Sequence, residues 1–142
     1  MKSVFKKIII LLILLLPNTV NADFFEDITY KIENNSKRLS YGVSVTDMDQ
    51  DGKYEFLVTG FGYANLALSY DNGKLINIAN KNVFSDKFRK TIGVAACDVD
   101  RDGYEEIYFL NTDTYSGKKK HSDRLIDFEE DKFLDMFEIE KN

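Results

Sequence analysis

From residue 41 the chain alternates apolar and polar side chains through Val43, Ser44, Val45 and Thr46, and it does so again from residue 92, where Val94 and Ala96 take the places of the two valines. Period-two alternation marks a strand with one buried face, so Val43, Val45, Val94 and Ala96 are expected on the core side. The runs that follow, Glu55-Phe56-Leu57-Val58 and Glu106-Ile107-Tyr108-Phe109-Leu110, are apolar on both faces. They are expected in the middle of a sheet. Each half then closes with two further short strands, those of the first half around the hairpin turn Asp71-Asn72-Gly73. The pattern predicts strands at about 41–46, 54–61, 65–70 and 74–79, then at 92–97, 105–111, 123–128 and 132–137. Beyond the N-terminal apolar run no segment keeps a helical period, and Leu134, Met136 and Ile139 fit a strand better than a helix. The fold class is all-β.

The two halves are one unit written twice. "YGVSVTDMDQDGKYEFLVTGFG" (41–62) lies over "IGVAACDVDRDGYEEIYFLNTD" (92–113) without a gap. Self-similarity at a period of about 50 residues indicates a propeller or an array. Repeat 1 runs from about 41 to 79 and repeat 2 from about 92 to 137, each as four short strands. "DFFEDIT" (23–29) echoes the closing strand and is expected to be the last strand of a preceding unit.

Between the first and second strands of each unit sits a dense acidic loop. Asp47, Asp49 and Asp51 in one copy, and Asp98, Asp100 and Asp102 in the other, occupy positions 1, 3 and 5. Charges this close repel and weaken a compact state unless they are neutralised. Gly52 and Gly103 at position 6 permit a sharp left-handed turn around an ion. Lys53 or Tyr104 at position 7 would offer a backbone carbonyl, and Glu55 or Glu106 at position 9 a last carboxylate. The resulting all-oxygen set suits calcium, whereas zinc would call for His or Cys. An EF-hand is excluded because its position 12 is Val58 or Phe109 here and its flanks are strands rather than helices. About two Ca²⁺ sites are expected, structural in role, since the ion uses every carboxylate of the motif and leaves no general base. The chain is read as non-enzymatic.

Composition narrows the setting. The basic leader Met1 to Lys7, the apolar run Ile8 to Leu16 and the small residues ending at Ala22 read as a signal peptide over 1–22, too short in its apolar part to span a membrane. A secreted chain, periplasmic or extracellular, of residues 23–142 with no membrane span is the expectation. Removing Lys2, Lys6 and Lys7 leaves 16 basic against 24 acidic residues, a net charge of −8. That balance disfavours nucleic acid and suits a cation. The single cysteine, Cys97, can form no internal disulfide and is expected in a buried strand position. His121 beside Lys118-Lys119-Lys120 reads as a solvated loop.

These residues resemble the FG-GAP/VCBS repeat, known from integrin α-chain propellers, and more closely the cartilage acidic protein family and its bacterial relatives. The resemblance rests on the doubled loop motif. It also rests on Asn65-Leu66 and Asp123-Arg124-Leu125 after each loop, and on closing strands at Leu75-Ile76-Asn77-Ile78 and Phe133-Leu134-Asp135-Met136. It implies two four-stranded propeller-type blades, a partial propeller, with calcium between the first and second strands of each. The ninth loop position is glutamate where that family more often has aspartate. The resemblance further implies adhesion or protein interaction, or alternatively carbohydrate binding with Tyr41, Phe61, Tyr63, Tyr70 and Tyr115 as stacking platforms. Closed propellers hold about 4 to 8 blades, so a chain with two such units is expected to be a truncated or split product, to associate with itself or pair with another propeller fragment, or to fold as a two-blade stack with raw edges.

Overall fold

A computed structural model describes residues 25–79, 84–112 and 120–139 of the chain. The expected signal peptide lies outside the described residues. Two antiparallel four-stranded sheets organise the described residues. Sheet 1 has the order β1 (Val43–Thr46), β2 (Glu55–Val58), β3 (Leu66–Asp71), β4 (Lys74–Asn77). Sheet 2 repeats it with β5 (Thr91–Cys97), β6 (Glu106–Asn111), β7 (Arg124–Glu129) and β8 (Lys132–Asp135). The strands apolar on both faces, β2 and β6, take inner positions as their composition requires.

Turn chemistry sets the register. Asn72 and Gly73 both have positive φ (47° and 85°) between the paired Asp71 and Lys74, the backbone of a two-residue hairpin turn. Glu130 and Asp131 repeat that geometry between Glu129 and Lys132 without a glycine. Two side-chain pins recur as well. Asn65 Oδ1 accepts the Gly60 N–H at 2.8 Å, and Asp123 Oδ1 accepts the Asn111 N–H at 2.7 Å, so the polar residue opening each third strand secures the end of the second. Arg38 donates to the Ala64 carbonyl at 2.9 Å, and Arg89 donates to that of Ser122 at 2.7 Å. The structural unit thus begins earlier than residues 41 and 92, in the segment ahead of each first strand.

One core forms where the sheets meet. Met48, Leu57 and Ala67 from unit 1 cluster with Phe84, Ile107, Phe109 and Ile126. Phe84 stands edge-on to Phe109 and Phe133, with centroids 6.0 and 4.6 Å apart. β1 and β5 lie side by side at the contact. A Cβ on Gly42 would fall 3.1 Å from the Gly93 Cα and 3.2 Å from the Val94 N, so only glycine permits this approach without a shift. An ion cluster fastens the linking segment to sheet 2: buried Arg124 pairs with Asp86 Oδ1 (2.8 Å) and Asp135 Oδ2 (2.7 Å), and Arg89 joins Asp86 at 3.2 Å.

Four expectations are corrected here. Val43 and Val45 are 63% and 50% exposed, while Thr46 is buried, because sheet 2 covers the opposite face of β1. Their counterparts Val94 and Ala96 are half-buried. Cys97 is exposed rather than buried, since its register with Glu106 places it on the face of β5 shared with Gly93 and Ala95, away from Val94 and Ala96. Residues 25–28 of the expected 23–29 strand carry no strand pairing, and residues 23–24 lie outside the described residues. A 3-10 turn follows at Thr29–Lys31, and the first bridge is the parallel one between Ile32 and Leu75. Last, β8 stops at Asp135 and a helical turn, α1 (Met136–Ile139), follows. Asp135 caps it by accepting the Phe137 N–H at 3.2 Å.

Candidate metal centres

Each acidic loop is wound by its backbone. Gln50 and Gly52 have φ of 60° and 85°, and Arg101 and Gly103 have 71° and 98°, so positions 4 and 6 of both loops are left-handed. A Cβ at Gly52 or Gly103 would meet nothing within 4 Å; the positive φ, not crowding, is what calls for glycine. The curl brings the position-6 amide back to the first aspartate, with Gly52 N–H to Asp47 Oδ2 at 2.9 Å and Gly103 N–H to Asp98 Oδ2 at 3.2 Å. The position-9 glutamate, at the start of β2 or β6, accepts the position-2 amide, from Met48 at 3.3 Å and from Val99 at 2.5 Å.

Asp47, Asp49 and Glu55 converge as a result, each placing a carboxylate oxygen within 4.8 Å of the others, and Asp98, Asp100 and Glu106 do the same. Positions 1, 3 and 9 are therefore brought together in both copies. Position 5 is turned aside. Asp51 accepts the Lys53 N–H and Nζ, each at 2.8 Å, and Asp102 accepts the Tyr104 N–H at 2.8 Å. Lys53 and Tyr104 stand exposed at the loop rim.

Asp47 Oδ1 and Asp49 Oδ1 in the first loop and Glu106 Oε1 in the second are buried and take no hydrogen bond among the described residues. Leaving a buried charged oxygen unmatched costs more than a hydrogen bond gains. These orphaned oxygens, all of hard donor type, fit a hard divalent cation. Burial pushes the Glu55 carboxyl above its ordinary value, against the hydrogen bonds from Ser69 and Met48 and with the added repulsion of Asp49 and Asp51. Glu106 is likewise raised, by burial first and by Asp100 and Asp127 after it. The Lys53 hydrogen bond holds Asp51 below its ordinary value.

Three contributors escape a reading of the loop alone. Ser69, on the third strand, donates its hydroxyl to Glu55 Oε1 at 3.0 Å. Its counterpart in sheet 2 is the buried Asp127, which replaces a donor with a like charge. Met48, at position 2, is 4% exposed and belongs to the core between the sheets. Gln50, at position 4, donates to the Phe128 carbonyl of β7 at 3.0 Å. The first loop is therefore built into the contact with sheet 2. Register carried a signal for Ser69, since period two puts it on the same face as Ala67 and Leu57.

Of the aromatic residues considered as stacking platforms, Tyr41, Tyr63 and Tyr70 are exposed. Phe61 is half-buried with its ring 5.4 Å from that of Tyr41, and Tyr115 lies outside the described residues. No helix among the described residues is long and apolar enough to cross a membrane.

Comparison with known proteins adds an independent line. The FG-GAP-like repeat family matches residues 47–109, a span running from the first acidic loop through the second to β6. Cartilage acidic protein 1 of Xenopus tropicalis is 44% identical over 119 residues, and that of Homo sapiens 42% over the same length. Each alignment covers 78% of this chain and 18% of the relative, so the chain spans about a fifth of the length of the curated relatives it matches.

Proposed function

We propose that this chain, whose residues 47–109 match the FG-GAP-like repeat family, is an exported calcium-binding β-repeat module serving adhesion or protein interaction rather than catalysis. The observation that carries the reading is the doubled convergence of three carboxylates, with buried oxygens left unmatched in each copy. Asp47, Asp49 and Glu55 would hold one Ca²⁺, and Asp98, Asp100 and Glu106 a second. Asp51, Asp102 and the backbone carbonyls of Lys53 and Tyr104 are the oxygens that the loop spacing assigns to fill out each shell, which for Asp51 and Asp102 means turning from their present partners. When bound, calcium supplies the positive charge that offsets the packed carboxylates. The chain's own part is to present those oxygens from a fixed backbone curl and to carry the order of the loop outward. In the first loop that order passes through Met48 and Gln50 to sheet 2, so the ion stiffens the contact between the sheets. Sheets that carry charged loops make a surface for binding, and the three converging carboxylates of each loop are taken up by the ion rather than left for acid–base work.

Thermal unfolding with and without calcium tests the proposal. At a calcium concentration about ten times the dissociation constant, each site adds roughly 1.4 kcal/mol. Two sites should raise the melting temperature by about 10 °C for a domain of this size. An unchanged melting temperature in millimolar calcium, together with no heat of binding, would remove the calcium reading.

A further inference from the structure

The contact between the two sheets joins unlike faces of one repeated unit, and among the described residues the same two faces recur with exposed apolar positions on the outer sides of the two sheets. On the receiving side, Ile107 is 2% exposed and Val94 and Ala96 are half-buried against sheet 1. Their counterparts 51 residues earlier, Phe56, Val43 and Val45, are 42%, 63% and 50% exposed on the outer face of sheet 1. On the inserting side, Thr46 and Met48 are 0% and 4% exposed, whereas their counterparts Cys97 and Val99 are exposed on the outer face of sheet 2, Val99 at 61%. Backbone packing follows the same rule. Gly42 meets Gly93 at the internal contact, while a Cβ on Gly93 would meet nothing closer than Leu110 at 3.6 Å. Phe137 of α1 lies edge-on to Tyr108 on that outer face, 6.3 Å away, much as Ala79 after β4 packs against the internal core.

We propose that the outer face of sheet 2 docks on the outer face of sheet 1 of a second copy of this chain, repeating the internal sheet-to-sheet contact between molecules. The occupant is fixed by continuity with that contact: the second copy carries the very surface that β1 and β2 would need. Because the two faces differ, the association is head to tail and either closes into a ring or extends. It does not rest on the calcium reading.

Light scattering on the exported chain in calcium buffer, with two face-specific variants, tests this. Val45→Lys disables the receiving face. Gly93→Val fills the position where Gly42 of the next copy would approach, and inside its own chain a Cβ there makes only ordinary contact with Leu110. Wild type is expected at multiples of the single-chain mass that grow with concentration, and each variant alone at the single-chain mass. Their equimolar mixture should give a two-chain complex and nothing larger, because one intact pair of faces remains. Circular dichroism melts verify that the variants fold, and Phe56→Lys and Cys97→Arg repeat the test if either does not. The proposal is overturned by wild type at single-chain mass up to roughly 100 μM, the weak end of specific association. It is equally overturned by either variant dimerising alone, or by a mixture that fails to associate.

Discussion

Glu55 and Glu106 occupy equivalent positions but receive different support from the third strand. The Ser69 hydroxyl satisfies Glu55 Oε1, whereas Glu106 Oε1 is orphaned beside the buried carboxylate of Asp127. Asp127→Ser should therefore stabilise the chelated chain by about 1 kcal/mol, and Ser69→Ala should weaken it by about the same amount, as read from urea midpoints. The two glutamates also set a pH dependence. Burial raises both carboxyls above their ordinary value of 4.5. In the window between that value and the raised one, the metal-free folded chain holds protons that the unfolded chain has released. The penalty is absent below 4.5 and grows as pH climbs through the raised values. Melting temperatures of the chelated chain between about pH 4 and pH 7 should fall more steeply than those of a Glu55→Gln, Glu106→Gln double variant. Calcium should reverse the trend, since it binds the charged form that protons remove.

At the level of elements, the buried Arg124 holds β7, the end of β8 and the linking segment in one ion cluster through Asp135 and Asp86. Arg124→Ala would leave two buried carboxylates without their shared cation and should cost about 3 to 5 kcal/mol, measurable by denaturant unfolding. The order and number of strands were legible in the chain, because β2 and β6 are apolar on both faces and the loop motif fixes where each begins. Which side of β1 faces inward was not. Alternation at Val43 and Val45 reports that two faces differ but not where the neighbouring sheet lies, and the inner face here is the one with Gly42, Ser44 and Thr46. Cys97 could have been placed outward by the same register that assigned Val94 and Ala96 inward. The pairing of Arg38 with Arg89 was also visible at the 51-residue offset, but its meaning depends on the Ala64 and Ser122 carbonyls, contacts that no local pattern encodes.

For the whole molecule, one repeat supplies both the acidic loops and the surfaces that pack, and the first loop joins the two through Met48 and Gln50. The candidate ligands at positions 1, 3 and 9 were legible because their spacing is set by the loop itself. The turn of Asp51 toward Lys53 was not, since it depends on a side-chain contact that the loop spacing does not encode. Ordering by calcium should thus be felt across the sheet contact and not only within each loop. The claim on which this rests is that Asp47, Asp49 and Glu55 hold one ion and Asp98, Asp100 and Glu106 another. Calorimetric titration of the chelated chain with Ca²⁺, run beside Asp49→Ala and Asp100→Ala, tests it most directly. The account predicts two ions per wild-type chain and one for each variant; no binding by wild type, or undiminished stoichiometry in both variants, would contradict it.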